Sequence, residues 1–126
     1  MGVTESVVKL EKKLPAVFYR SPSGREPVRD WIKDLDAIDQ KLIGRDIATL
    51  EFCWPVAQPK CKPVKGRKWL WEIRSSVSDK RIVRVFFCLH EGKMVLLHGF
   101  IKKTRKAPET DLDLAVTRMK EVKKHD

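Results

Sequence analysis

Apolar residues recur along this chain with two periods, and the period changes where the structural element should change. Residues 14–20 are short, aromatic and run into the turn-forming Ser21-Pro22-Ser23-Gly24, which predicts a first strand. From Arg25 the spacing becomes helical. Val28, Trp31, Ile32 and Leu35 fall on one stripe, with Glu26-Pro27 suited to a first turn. A second helix is predicted after Asp36, with Ile43, Ile47, Leu50 and Trp54 on one face and Lys41, Arg45 and Asp46 nearer the other. Pro55 stops it, because proline has no amide hydrogen to continue the helical ladder.

Pro55, Pro59, Pro63 and Gly66 break up the stretch as far as Lys68, which reads as a loop or a short edge strand. Period two then takes over. In residues 69–74, Trp69, Trp71 and Ile73 point one way while Leu70, Glu72 and Arg74 point the other. Residues 75–80 are turn-like, and residues 81–89 make the strongest strand. Val83, Val85, Phe87 and Leu89 form a wholly apolar face that should pack on the helices. Ile82, Arg84, Phe86 and Cys88 form a second face that carries a single cation. Glu91-Gly92 predicts a hairpin into a strand over residues 94–101. A last helix opens at Pro108-Glu109-Thr110-Asp111, with Leu112, Ala115, Val116, Met119 and Val122 as its apolar stripe. Lys120, Lys123 and Lys124 suit its C-terminal end.

This order predicts an α+β fold, a small antiparallel sheet of about four strands packed against two N-terminal helices and a C-terminal helix. The 126 residues fit one domain over 1–126, with residues 1–13 as an N-terminal extension.

Charge changes the picture. A net charge of +10 points to nucleic acid or an acidic protein as partner, ahead of an anionic membrane. The three cysteines, Cys53, Cys61 and Cys88, have no CxxC spacing, so reduced and partly buried thiols are expected rather than a disulfide framework. His90, His98 and His125 supply no recognisable zinc spacing, and no cofactor is expected. Residues 1–13 carry charges and no apolar run of signal-peptide length, and no segment approaches the ~20 apolar residues of a membrane span. A cytoplasmic protein with no membrane partner is the expectation.

The cations have an uneven distribution. The strand over 94–101 runs straight into Lys102, Lys103, Arg105 and Lys106, and a second basic segment, Lys60, Lys62, Lys65, Arg67 and Lys68, precedes the tryptophan strand. Arg84 stands between them in an apolar face. A cation there must stay hydrated in a groove or be paired, with Glu72 on the neighbouring strand as the available partner, because burial alone would cost several kcal/mol. Arginine and lysine neutralise phosphates, and arginine adds a two-pronged fork. RNA cleavage by attack of a 2′-hydroxyl on phosphorus gains negative charge in its transition state, which preorganised cations stabilise. Candidates for the acid and base are His98, Lys102 or Lys103, Glu72 and Tyr19. Paired carboxylates, a phosphate-cradling glycine loop and a Ser/His/Asp pattern are absent. The four tryptophans, Trp31, Trp54, Trp69 and Trp71, read as core, with the alternative that one of them is free to stack on a base.

The helical pair, GRKWLWEIR at residues 66–74, RIVRVFF at 81–87 and LHGFIKKTRKAP at 97–108 together resemble the RelE/HigB toxin superfamily of type II toxin–antitoxin systems, in its phage-derived HigB-like branch. The resemblance covers nearly the whole chain from about Val17 onward. It implies a ribosome-dependent, metal-independent mRNA endoribonuclease that inhibits translation, neutralised by a cognate antitoxin that is a helix-turn-helix protein. It further implies that Arg84 holds the scissile phosphate and that Lys103 fills the place of a basic residue after the last strand, beside Lys102 and Arg105. These four are the catalytic candidates. Lys65, Arg67, Lys68, Arg74, Lys106 and His98 are the substrate-binding candidates. Where some RelE toxins carry catalytic lysines on the strand, this chain has Leu70 and Glu72, and the only tyrosine is Tyr19, so the acid and base stay open. Two other functions are open as well: a ParE-like toxin that poisons gyrase, and a nucleic-acid-binding module without catalysis.

Overall fold

The computed structural model describes residues 11–103, 105 and 107–124. In chain order the elements are β1 (Ala16–Phe18), α1 (Pro27–Lys33), α2 (Ala37–Cys53), β2 (Cys61–Pro63), β3 (Trp71–Ser76), a single 3₁₀ turn (Ser78–Lys80), β4 (Ile82–His90), β5 (Lys93–Lys102) and α3 (Glu109–Lys124). The strands form one sheet in the order β1-β5-β4-β3-β2. Among the described residues only the β1–β5 pair is parallel. The sheet is therefore five-stranded and mixed, where four antiparallel strands were expected.

Both extra features have local causes. β1 is only three residues long, and its parallel pairing is set by two flanking bonds, Met94 N–H to the Pro15 carbonyl and Tyr19 N–H to the Leu96 carbonyl, at 2.8 and 2.9 Å. The proline-broken segment supplies β2 as an edge strand, with Pro63 at its end where no ladder donor is needed. Of the expected N-terminal extension, residues 1–10 lie outside the described residues. Residues 11–13 are exposed, and Lys12 reaches Glu51 at 3.1 Å.

The helices lie on opposite faces of the sheet rather than sharing one. Val28 of α1 and Ile43 and Leu50 of α2 pack with Ile73, Val83, Val85, Phe87 and Leu96. On the other face, Leu112, Ala115 and Met119 of α3 pack with Leu70, Phe86, Cys88 and Leu97. Each large side chain so buried contributes roughly 1.5–3 kcal/mol. The period-two reading of β4 holds for Val83, Val85 and Phe87, but Leu89 at the hairpin end is 39% exposed. Asp46, expected toward the solvent side of α2, is buried instead. It accepts a 2.6 Å bond from Ser75 Oγ and pairs with Lys60.

Two backbone irregularities matter for the site. Phe86 pairs with His98 but Phe87 pairs with Leu96, so Leu97 is an extra residue and β5 bulges there. Leu97 and His98 consequently both face α3. Trp69 does not continue the alternation of Trp71 and Ile73, because β3 begins only at Trp71 and Trp69 has φ 70°. The residue is 71% exposed, contrary to the core position expected. Trp31 packs over Gly99 so closely that a Cβ there would lie 2.4 Å from its ring, which fixes α1 against β5. Trp54, Trp71 and Phe87 form an aromatic cluster with centroids 5.1 to 6.2 Å apart.

Candidate nucleic-acid interface

α3 covers only part of its face of the sheet. Between its first turns and the loop joining β2 to β3 lies a cleft of about 560 Å³, floored by β2, β3, β4 and β5. Side-chain alternation decides what the floor presents. Lys62 stands opposite Glu72, Arg84 opposite Phe100, and Lys102 opposite Ile82. Directly opposed residues share a face, so Lys62, Glu72, Arg84 and Lys102 all look toward α3. Phe100, packed against Phe86 at 5.4 Å, and Leu112 give the cleft an apolar wall.

Arg84 is 8% exposed, and its Nη1 donates to Glu72 Oε2 on the adjacent strand. The two alternatives raised by the sequence, pairing and a groove, are thus both realised. Pairing is incomplete, for Arg84 Nε is a buried donor with no hydrogen-bond partner. An unmet donor of this kind costs about 1–3 kcal/mol, more on a charged group. Burial lowers the Arg84 pKa from its usual value, yet a guanidinium remains protonated.

Six cations line the cleft, Lys62, Lys65, Arg67, Arg84, Lys102 and Arg105, against two carboxylates, Glu72 and Glu109. Both carboxylates are engaged, Glu72 by Arg84 and Glu109 by Arg67 at 2.6 Å. Among the described residues no ion pair engages Lys62, Lys65, Lys102 or Arg105. The Lys102 pKa is lowered by burial first, and then by the charges of Arg84, Lys62 and Arg74. The arrangement suits an anion that brings several charges and accepts several hydrogen bonds.

The site residues expected from sequence divide into three groups. Arg84, Lys102, Arg105, Lys65 and Arg67 come together in the cleft, although Arg67 also bonds Asp113 at 3.3 Å and so ties the β2–β3 loop to α3. Lys103, Lys68, Arg74 and His98 lie off it. Lys103 is exposed just past the end of β5, and Lys68 is exposed on the loop. Arg74 stands directly opposite Arg84 on β3 and so shares its face, and its charge lowers the Lys102 pKa, but it lines the neighbouring hollow with Arg45 and Lys60 rather than the cleft itself. His98, carried to the α3 side by the bulge, bonds Asp111 at 2.6 Å and stacks on Phe100 at 5.9 Å. Lys106 lies outside the described residues.

Of the acid and base candidates, Glu72 and Lys102 are in the cleft. Tyr19 is not: it is buried near β1 under the Arg118 guanidinium, which sits 5.5 Å from its ring centre. Lys62 and Phe100 belong to the cleft and were not among the expected site residues. Lys62 was named only within the basic segment before the tryptophan strand, and the in-out order of Cys61 and Lys62 in the edge-strand reading would have set it on the cleft side. No group of three or more His, Cys, Asp or Glu among the described residues is placed to hold a metal ion. Cys61 and Cys88 are buried, one in each core, and burial pushes both thiols up to about 11.

Fold and cleft together define a small, basic α+β protein with a cation-lined cleft beside α3. The family model of phage-derived Gp49-like proteins matches residues 30–120, from within α1 to within α3. The chain belongs to this family, which is a toxin-like family of the RelE/HigB type. No curated protein matches the chain. Among the described residues no helix is long and apolar enough to cross a membrane.

Proposed function

We propose that this protein is the toxin of a type II toxin–antitoxin module, of the HigB-like kind, and that it cleaves messenger RNA on the ribosome in the cytoplasm. The observation that carries the reading is Arg84, a buried arginine, 8% exposed, whose Nε is an unmet donor at the floor of a cleft with cations in excess. A scissile phosphate fits that donor. The RNA's 2′-hydroxyl attacks phosphorus, the bond to the 5′-oxygen breaks, and a 2′,3′-cyclic phosphate and a free 5′-hydroxyl result. Arg84, with Lys102 and Arg105 around it, neutralises the charge that grows on the phosphoryl oxygens.

Two groups in the cleft can carry the protons. Glu72 keeps acceptor capacity beyond its bond to Arg84 and takes the proton of the 2′-hydroxyl. Lys102, whose pKa is lowered by burial and neighbouring cations, gives a proton to the departing 5′-oxygen. Neutralisation falls to a cognate antitoxin, a helix-turn-helix protein.

Induction of the gene without an antitoxin tests this reading. Translation should stop within minutes, with messages cut at ribosome-bound positions mapped by their new 5′ ends. Growth arrest with intact messages would overturn it, and a shift in plasmid supercoiling alongside would favour gyrase poisoning.

A further inference from the structure

Trp69 is the most exposed large apolar side chain among the described residues, at 71%, and the backbone works to keep it outside. Its φ of 70° is in the left-handed region, which costs a residue with a Cβ roughly 1 kcal/mol or more. The chain on either side is ordinary in placement: Leu70 turns into the α3 core, and Trp71 begins β3. The strained backbone holds the indole outside both hydrophobic cores, with only a lysine of α3 brought over its ring.

The ring's surroundings point to a ligand. Lys123 of α3 places Nζ 5.4 Å from the ring centre, Lys68 precedes it, and Val64 and Arg67 line both the surface beside Trp69 and the phosphate cleft. The basic cleft and the ring are therefore parts of one continuous surface. We propose that Trp69 is a stacking platform for an unpaired nucleobase of the RNA strand whose phosphate lies at Arg84 and Lys102, with Lys68 and Lys123 holding the flanking phosphate. An indole face offers the strongest stacking surface of any side chain, and a cation beside it suits the phosphate that accompanies every base. This inference rests on RNA being the substrate.

The test uses binding of a short fluorescent single-stranded RNA by the full chain, with the wild type, Trp69→Phe, Trp69→Ala and Trp69→Gly. Glycine removes the ring and also fits the left-handed backbone, so a folding defect in the alanine variant does not obscure the result. Trp69→Ala and Trp69→Gly should both weaken binding about fivefold or more, and Trp69→Phe should retain most of it. An RNA with abasic positions should bind the wild type more weakly and the Trp69→Gly variant no differently. Wild-type affinity in Trp69→Gly, with RNA bound normally, overturns the platform and leaves the RNA reading standing. If Trp69→Gly instead loses only neutralisation by a co-expressed antitoxin, the ring is a protein contact and the inference fails. Absence of RNA binding by the wild type overturns both.

Discussion

The two faces of the sheet bury charge in opposite ways. On the face under α1 and α2, each buried acid among the described residues meets two donors. Asp39 accepts from Ser78 N–H at 3.0 Å and from Arg81 Nη2 at 2.6 Å, Asp46 from Ser75 and Lys60, and Glu51 from Ala16 N–H at 2.8 Å and Lys12. Acids on helices there meet donors on the strands and loops beneath, and the pairs close. On the face under α3 the buried charge is an arginine, its carboxylate satisfies one nitrogen, and one donor is left over beside further cations. Closed pairs stitch the fold together. The open one leaves a donor unmet in the cleft.

Removing Arg84 breaks that contrast most directly. Arg84→Ala should lower message cleavage about 10²–10³-fold, the loss typical of one donor to a developing anion. It should also strand Glu72 as a buried unpaired carboxylate, a destabilisation of about 3–5 kcal/mol. The variant Arg84→Met with Glu72→Leu separates the two effects, since removing both partners of a buried pair is often close to neutral for stability. Urea denaturation near the wild-type midpoint with cleavage still absent is the expected outcome. Cleavage retained in the double variant would remove both residues from the chemistry.

The contrast was partly legible in the sequence. Arg84 stood out because β4 keeps strict period two over a long run, so a single cation in an apolar face could be seen without knowing the fold. Lys102 and Arg105 followed from the strand that precedes them. The bulge at Leu97 could not be read, and with it the placing of Leu97 and His98 together on the α3 face, where His98 bonds Asp111. β1 was placed as a strand, but three residues carry no signal for a parallel partner some 80 positions away. Trp69 was misplaced because WLW alternates in the sequence, whereas a positive φ at its first residue breaks the alternation in space. Asp46 was misjudged for a related reason: helical periodicity shows which side is apolar, and not that Ser75 and Lys60 offer donors beneath it.

A pH profile sharpens the open side of the comparison. If Lys102 gives its proton to the leaving oxygen, cleavage must fall once the ammonium is lost, about tenfold for each pH unit above its pKa. Burial and its cationic neighbours lower that pKa, so the alkaline limb lies below the ordinary lysine value of 10.5. Lys102→Arg keeps the charge but holds its proton throughout, so it should be slow and lack the limb. The measurement is the cleavage rate on purified ribosomes across the alkaline range they survive. An unchanged limb in Lys102→Arg would assign it to another group.

The closed side makes a smaller prediction of opposite sense. The Asp39 pKa is lowered chiefly by the backbone N–H of Ser78, then by the Ser78 side chain, with Arg81 adding to the effect against the cost of burial. A carboxyl whose folded pKa lies below its unfolded value of 3.8 stabilises the fold above that value. As the pH falls through the folded pKa the carboxylate protonates and the contribution disappears. Asp39→Asn should therefore unfold at lower urea than the wild type at neutral pH, and the gap should narrow on acidification into the range below 3.8. Message cleavage should not follow this titration, because Asp39 lies on the face away from the cleft. A gap that stays constant with pH would mean that the Asp39 bonds to Ser78 and Arg81 do not depend on its charge, and the acids of α2 would then be closed by geometry rather than by electrostatics.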